Sequence, residues 1–589
     1  MDSVSNSKLI SRQFFRLLPM QILLAIIPSL NGIISSLFAG NFADPYTMTA
    51  IGLYGPVSML ITTVSFVLVS GSQIMCGKYM GRNQIEGTKR IFSIDIKMTF
   101  IISVGATILL LAFTAAGGAS VFTDEEEGRA ALTQYMYGQL PGIVPFMLGS
   151  QLFAFLSLEN RNKRTMAATI TFIVANLLFN CILVAVLKTG TFGVSLSYSL
   201  GCCIFLAVQA QYYFTGKAMM KYEKSKVAMK DFTDIMITGY PGALVNFYQT
   251  IRGLIVNSLI LRYVGSAGLS AFAASGSVLG LFWCIPTGIV AVSRMMMSVA
   301  IGEEDRRSLT DTMRVIVYRC IPLMCLISGM VIALGEPLTR MFYRDPSDAV
   351  YGMTVMAFRL LPICFPLSII QMNLICYSQI IGRQGIIHLE SALDGVVCVA
   401  GFSALLVPSW EMNGVYLANI MNNILCVLLF VVFSYISRKH FPCSMDDFMV
   451  IKDDFGAGEK DRMDLSVRSL QDVTSVSGKV IGFCKAHGID ARRCYFSGLF
   501  LEEMAGNVVS HGFTKDRKDH LVDIRVVRKA EDVILRIKDD CVPFDPKDRL
   551  SMLDDADPAK NIGIRMVYNS AADVQYQNIL GLNVLTIRI

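Results

Sequence analysis

The sequence predicts an all-α membrane bundle of twelve transmembrane helices in two six-helix parallel repeats, followed by a small α/β sandwich. Three observations carry that expectation. Of its 589 residues, 53% are hydrophobic and only 17% charged, whereas soluble domains carry about 25% charged residues. The charge is unevenly divided: 43 of the charged residues fall in positions 451–589, about 31% of that stretch against about 12% of residues 1–450. The apolar runs are also long enough to span a bilayer. The composition excludes a secreted disulfide scaffold, a disordered chain and an ordinary cytosolic enzyme. The net charge of +6 sits on the apolar part, where it suits membrane topology and calls for no nucleic acid. The 15 cysteines show no paired CxxC and no zinc spacing, so they read as small buried hydrophobes.

A spanning helix needs about 20 mostly apolar residues. Twelve segments qualify, at about 15–38, 48–76, 92–116, 134–158, 165–188, 192–214, 234–261, 268–297, 312–334, 351–378, 386–408 and 412–436. Several hold proline (Pro19, Pro141, Pro145, Pro241, Pro286, Pro362), which spanning helices tolerate. The N-terminus lacks a cleavable signal pattern. Basic residues cluster in alternate loops, as in Lys78, Arg82, Lys89 and Arg90, then Arg161, Lys163 and Arg164, then Arg306 and Arg307. The intervening loops are poor in them or acidic, as at Asp124–Glu127. The positive-inside rule then puts both termini in the cytoplasm. The expectation is a multi-pass protein of the plasma membrane, with the lipid bilayer as its first partner.

The apolar part repeats itself. Gly81-Arg82-Asn83 aligns with Gly302-Glu303-Glu304, and TFGVSLS (191–197) with MNGVYLA (412–418), at an offset of about 221 residues. The halves run over about 12–214 and 234–437. Secondary transporters commonly hold substrate between such parallel repeats. A symmetric channel or a lipid scaffold would fit the same pattern.

The pieces MTAIGLYGPVSML (48–60), GSQIMCGKYMGRNQIEGTKRIFS (71–93), NLLFN (176–180) and LSAFAASGSVLGLFW (269–283) resemble the multidrug and toxic compound extrusion (MATE) transporters over roughly residues 12–436. The resemblance implies an antiporter that exports organic cations or other amphipathic compounds against Na⁺ or H⁺. Three positions depart from the family. Ser35, Asn180 and Gln249 are neutral where members often carry a carboxylate, which removes the usual coupling groups. Glu390 and Asp394 remain. They stand four apart on one helix face and could bind a cation or share a proton; their other reading is a solvated pair near a helix end beside Arg383. Asn31, Asn176, Asn180, Gln249 and Asn257 are expected to face the bundle interior, as hydrogen-bonding glue or as cavity lining.

Residues 438–460 turn polar and read as a linker to a domain at 461–589. There, a strand at 463–470 is followed by helices at 471–486 and 490–513. A strand pair (521–529 and 532–539), a helix near 561–572 and two last strands complete the sandwich. Three patterns lie on this frame. Glu503, Asn507 and His511 recur every four residues on one helix face. A carboxylate there can act as a base, and an amide oxygen can hold Mg²⁺. Asp539 stands at a strand end, where it could accept a hydrogen bond from an adenine amino group. Asn561-Ile562-Gly563 opens a helix, whose free N–H groups suit phosphate.

Together these patterns resemble the ATP-binding domain shared by histidine kinases, gyrase and Hsp90 (GHKL), nearest its anti-sigma-factor serine kinase branch. The resemblance implies Glu503 as catalytic base, Asn507 as the Mg²⁺ ligand, and Asp539, Gly563, Asn561 and His511 as the nucleotide site, with ATP and Mg²⁺ as cofactors. Cys541 and Asn561 replace two family glycines, which favours ATP binding over efficient ATPase or kinase turnover. No GxxxxGK[ST] motif occurs, so ATP-driven pumping of the P-loop type is not expected. The reading is an exporter with a regulatory or signalling ATP-binding tail that could engage a cytoplasmic protein partner. A membrane sensor with a serine-kinase tail and a lipid-linked precursor flippase are the alternatives.

Overall fold

The long apolar segments form helices even where they hold proline, and the described residues hold eleven long enough to cross a membrane. In chain order these are α1 (Ser3–Phe42), α2 (Tyr46–Gly81), α3 (Ile85–Ala115), α4 (Glu126–Leu158), α5 (Asn162–Val186), α6 (Gly190–Phe214), α7 (Met229–Tyr263), α8 (Ser266–Gly302), α9 (Arg306–Ala333), α10 (Ala349–Ile381) and α11 (Gln384–Arg438). The computed structural model describes residues 3–43, 46–215, 218–223, 229–343, 345–514, 519–529, 532–547 and 562–589. The last helix, 55 residues long, breaks at Glu411 (φ 49°, ψ −131°). It therefore supplies two passes, and the expected twelve segments are present as eleven helices with one internal break.

The repeat shows in the backbone. Asn83 and Glu304, equivalent by the sequence offset, both take positive φ (60° and 54°), and so do Gly190 (59°) and Glu411 (49°). The equivalents also touch. A side-chain carbon on Gly81 would overlap the Val299 carbonyl and crowd Gly302, one on Gly302 would overlap Lys78, and one on Gly77 would overlap Ser298. Only residues near a pseudo-twofold axis can meet their own equivalents. The absence of a Cβ lets α2 and α8 close to backbone contact there. Further along the same helices, Gly52 and Gly55 of α2 and Gly276 and Gly280 of α8 face open space. The halves thus converge at one end of the bundle and part toward the other.

The tail sits at the converged end. Its five antiparallel strands are β1 (Arg462–Val467), β2 (Val522–Lys529), β3 (Asp532–Asp539), β4 (Asp573–Ile579) and β5 (Leu582–Arg588), in the order β1-β2-β3-β5-β4. Alternation decides the two faces. Val522, Ile524, Val526, Val533, Leu535, Ile537, Leu585 and Ile587 pack against α12 (Leu470–Ala486), α13 (Ala491–Asn507) and α14 (Ile562–Ser570). The residues between them turn to the bundle: Leu582 and Val584 join its apolar core with Leu9, Phe14 and Leu17, while Arg525, Arg536 and Lys538 meet the loop between α8 and α9. Arg525 lies 2.5 Å from Asp305, Lys538 2.5 Å from Glu303 and 3.4 Å from Asp305, and Arg307 3.3 Å from Asp464.

Asp305 also caps α9, accepting from the Ser308 N–H and hydroxyl (2.7 Å each). Burial alone would raise its carboxyl, but Arg525, Lys538 and these two donors hold it well below the usual carboxylate range. Asp523, on the same face of β2, is the opposite case. Burial pushes it up to about 6 against a Ser466 hydrogen bond and the charges of Lys538 and Arg307, and its Oδ2 has no hydrogen-bond partner.

The expected linker is folded onto the bundle rather than spaced away from it. Ser444 and Asp447 cap a short helix, Met445–Phe448, in a reciprocal box. Met449 and Ile451 are buried in the bundle core. Arg383 donates to the Met449 and Val450 carbonyls, Arg438 to the Ile451 carbonyl, and Arg306 to Asp446 (2.6 Å).

Two outcomes are expected. Glu411 holds a backbone shape that its repeat equivalent gives to glycine, at a cost of about 1–3 kcal/mol. Glu411→Gly should raise the thermal unfolding midpoint of the purified protein, by an amount corresponding to about 1 kcal/mol. Asp523 has a folded pKa above its unfolded value, so the folded state binds the extra proton between about pH 4 and 6 and loses stability as pH rises through that window. Asp523→Asn should leave stability unchanged at pH 4 and raise it by about 2–3 kcal/mol above pH 6, read from unfolding curves at the two pH values.

Candidate functional sites

Inside the bundle, the expected polar residues fall into two clusters, one in each half. In the first, Ser35 donates to Asn31 Oδ1 (3.4 Å), Asn176 donates to the same oxygen (2.9 Å), and Asn180 donates to Asn176 Oδ1 (2.8 Å). The chain links α1 to α5, and Asn180 Oδ1 remains buried without a partner. In the second, Glu390 is fully buried. Gln371 donates to its Oε1, and its Oε2 has no hydrogen-bond partner. One turn on, Asp394 accepts from Asn422 (2.7 Å), and Arg252 donates to the Asp394 carbonyl (3.4 Å). Asp394 lies in a π turn, Leu393–Val397, a wider turn that re-aims side chains and is frequent at functional sites.

This burial overturns the solvated reading of the Glu390 carboxylate, since Arg383 is committed to the Met449–Val450 strap. Gln249 is half-buried on α7, and Asn257 is exposed there. Neither joins a hydrogen bond among the described side chains, so Asn257 does not face a packed interior as expected.

Sequence reading missed Asp95. It is fully buried in α3 with Oδ1 unpartnered. With its amide turned to suit its neighbours, Gln151 donates to Asp95 Oδ2 (3.1 Å) and accepts from the Val69 N–H (3.2 Å). The signal was present, because an acid inside an apolar span is functional by default. Each half therefore buries one carboxylate beside one glutamine, Asp95–Gln151 and Glu390–Gln371.

In the tail, α13 runs on into a π turn, Val508–Gly512, and carries Glu503 and Asn507, both half-buried, with His511 exposed at its end. A side-chain carbon on Gly563 would overlap the Glu503 carboxylate, so the N-terminus of α14 and Glu503 meet directly. A side-chain carbon on Gly512 would stand 3.1 Å from Cys541 Sγ, so the end of the same helix meets the loop after β3. Asn561 lies outside the described residues. Cys541 takes no positive φ and is buried. The thiol fits because its neighbour at 512 is a glycine, and the departure strains nothing at 541.

Asp539 is buried at the end of β3. Its Oδ1 accepts from Asn583 Nδ2 (2.7 Å) and from the Cys541 N–H (3.0 Å). Burial pushes its carboxyl up, while these two donors favour its charge. Asn583 is a hub that only strand register could reveal, since β5 places it directly opposite Asp539. Its Oδ1 accepts from Tyr576 (2.8 Å) and Asn578 (2.9 Å), and the Tyr576 hydroxyl accepts from the Phe544 N–H (3.0 Å).

His520, Asp540 and Cys541 each bring one ligand-type atom within 4.8 Å of the others. The His520–Asp540 contact (3.1 Å), the Leu521 N–H on Asp540 (3.1 Å) and Arg12 at 3.4 Å from Asp540 account for that cluster as a protein hydrogen-bond network.

A repeated bundle with eleven membrane-length helices among the described residues and a buried polar cluster in each half, and a tail that sets Glu503 against Gly563, fit a multi-pass membrane transporter joined to an ATPase-like domain. The chain belongs to the MatE family, which it matches over residues 22–182 and 241–400; residues 469–589 match the histidine kinase-like ATPase domain. Similar solved structures share the bundle's fold. One is an outward-facing conformation of a multidrug resistance MATE family transporter of the MOP superfamily, with a TM-score of 0.67 and 18% identity, covering 71% of this chain and 94% of that one. Another is a MOP superfamily transporter from Pyrococcus furiosus described by the reverse polarity of its binding pocket (TM-score 0.65, 18% identity, 71% and 94% covered). A third is a MATE protein in complex with MaD3S (TM-score 0.66, 18% identity, 71% and 94% covered). No curated protein matches the chain.

Proposed function

We propose that this MATE-family chain is a secondary active exporter of organic cations or other amphipathic compounds, with an ATP-binding tail that regulates transport. The observation that carries the reading is the shape of the bundle. Two equivalent halves meet at backbone distance at one end and part at the other, around buried polar clusters. That is the arrangement alternating access requires. The alternate basic loops support an orientation with both termini and the tail in the cytoplasm of a plasma-membrane protein.

Glu390 and Asp394 are the coupling candidates. A buried carboxylate with an unpartnered oxygen binds H⁺ or Na⁺ more readily than it stays bare. Neutral Ser35, Asn180 and Gln249 move that task away from the positions the family often uses and leave the first cluster to contact substrate. Asp95 is the corresponding group of the first half.

The tail's residues fit ATP with Mg²⁺. Asp539 presents a buried acceptor suited to an adenine amino group. Gly563 opens α14, whose N-terminal N–H groups suit phosphate. Asn507 offers an amide oxygen for Mg²⁺, and Glu503 stands where it can take a proton from an attacking hydroxyl. When bound, ATP supplies a transferable phosphoryl group and binding energy for a conformational change. Glu503 lies against Gly563, so it must swing aside to admit phosphate, which favours nucleotide sensing over fast turnover.

Full-length protein in detergent should bind ATP in the presence of Mg²⁺ by calorimetry, and Asn507→Ala should weaken that binding at least tenfold, or about 1.4 kcal/mol. Absence of binding by the wild type would leave the tail an interaction module. Cells expressing the chain should accumulate less of a cationic dye than control cells. Glu390→Gln should abolish most of that difference without lowering the protein's thermal midpoint. Unchanged efflux in the variant would remove Glu390 from coupling.

A further inference from the structure

The sheet of the tail grips both repeats at once. On the first half, α1 sends Gln13 to the Leu580 carbonyl (3.3 Å), Arg16 to the Gly581 carbonyl (3.4 Å) and Arg12 to the Asp519 carbonyl and Asp540. Leu580 and Leu582 add apolar contact to the same core as Leu9 and Leu17. On the second half, the loop after α8 holds the opposite part of the sheet. Lys538 meets Glu303 and Asp305, Arg525 meets Asp305, Arg307 meets Asp464, and Arg536 donates to the Glu303 carbonyl (3.3 Å).

Between these two holds lies a cleft of about 370 Å³, lined by Arg82 and Asn83 of the first half, Glu303 and Glu304 of the second, and Arg525 and Arg536 of the sheet. Its two loops are the repeat equivalents that carry positive φ. They flank Gly81 and Gly302, the pair whose contact closes this end of the bundle.

We infer that the tail is a latch: its sheet fastens the two repeats in the state closed on the tail side, and the nucleotide loop is wired to that latch through Asp540 and Arg12. A hydrogen-bonded five-stranded sheet does not stretch. If α2 and α8 separate, as alternating access demands, the sheet can keep the α1 contacts or the Glu303–Arg307 contacts, but not both. Each opening must break one of the two sets, and each closure must remake it.

The second clause rests on the ATP-binding reading of the tail. Asp539, the adenine candidate, is followed directly by Asp540, whose Oδ2 lies 3.4 Å from Arg12 and whose Oδ1 holds His520 and the Leu521 N–H. A base held on Asp539 therefore acts one residue away from the first transmembrane helix. Linkage makes the effect mutual, so any bias that nucleotide places on the latch equals the bias the latch places on nucleotide affinity.

The test is amide hydrogen exchange of the full-length protein in nanodiscs, followed in peptides covering 78–90 and 298–312. Lys538→Glu sets a carboxylate against Glu303 and Asp305, and both peptides should exchange at least tenfold faster. The double variant Glu303→Lys with Lys538→Glu restores opposite charges and should return both toward wild-type rates. That recovery separates a lost attraction from a damaged fold, and an unshifted gel-filtration profile shows that the single variant is intact. Unchanged exchange in both peptides of the intact single variant overturns the latch. For the wiring, ATP with Mg²⁺ should alter exchange in the same peptides of the wild type and not in Arg12→Ala. An equal response in both overturns the Arg12 route. A wild type that binds no ATP in calorimetry sinks the nucleotide reading and the wiring with it, while the charge-swap result still decides the latch.

Discussion

The contact between Gly81 and Gly302 is the constraint on which the rest of the molecule depends. Two helices that each need about 10 Å of width can approach to backbone distance only where neither has a side chain. That approach brings together two loops that the chain separates by more than two hundred residues. It turns them into one platform, with Arg82 and Asn83 on one side and Glu303–Arg307 on the other. The tail has a surface to rest on because the halves meet there. Its charges fit that surface because β2 and β3 place Arg525, Arg536 and Lys538 on the face the helices leave bare. The ion pairs matter more than their surface counterparts would, because Asp305 and Glu303 are almost wholly buried. An isolated buried charge there costs about 3–5 kcal/mol, so each partner needs the other.

Within this frame the two kinds of chemistry stay apart. The carboxylates proposed for ion coupling, Glu390 and Asp95, are buried in the bundle, each beside a glutamine that satisfies one oxygen and leaves the other without a hydrogen-bond partner. The groups that suit a nucleotide, Asp539, Glu503, Asn507 and Gly563, lie on the helical side of the sheet, away from the bundle. The sheet lies between these residues and the bundle, and alternation along its strands gives each side its own residues. Asp539 faces the helices and its neighbour Lys538 faces Glu303, so adjacent residues of one strand look to opposite sides of the sheet.

Much of this was legible in the sequence. Apolar runs gave the passes, and the offset of about 221 residues gave the repeat, because a duplicated fold leaves a duplicated spacing. The tail's strands and helices followed from alternation and from the four-residue spacing of Glu503, Asn507 and His511. What stayed hidden depends on which residues the fold brings together. Asn583 becomes a partner of Asp539 only through the register of β5 on β3, and no local pattern marks that register. The strap at 444–455 looked like a spacer because its composition is polar, yet two apolar residues, Met449 and Ile451, anchor it. The sequence left Glu390 open between an ion site and a solvated acid near a helix end beside Arg383, and only the fold shows it buried with Arg383 turned to the strap. Asp95 was readable, as an acid inside the apolar span that follows the basic start of α3.

The anchored strap has one more consequence. Because residues 444–455 are fixed to the bundle, only the six residues 456–461 separate that anchor from β1, a tether of roughly 20 Å at full extension. A domain held so closely has a local concentration on the order of millimolar or above at its own docking face. The same domain supplied as a separate protein would have to reach that concentration in solution to compete. Gly456 and Gly458 are the conformationally permissive positions in that short tether. Fusion in a single chain thus keeps the charge pairs at the docking face within reach of one another whenever they part.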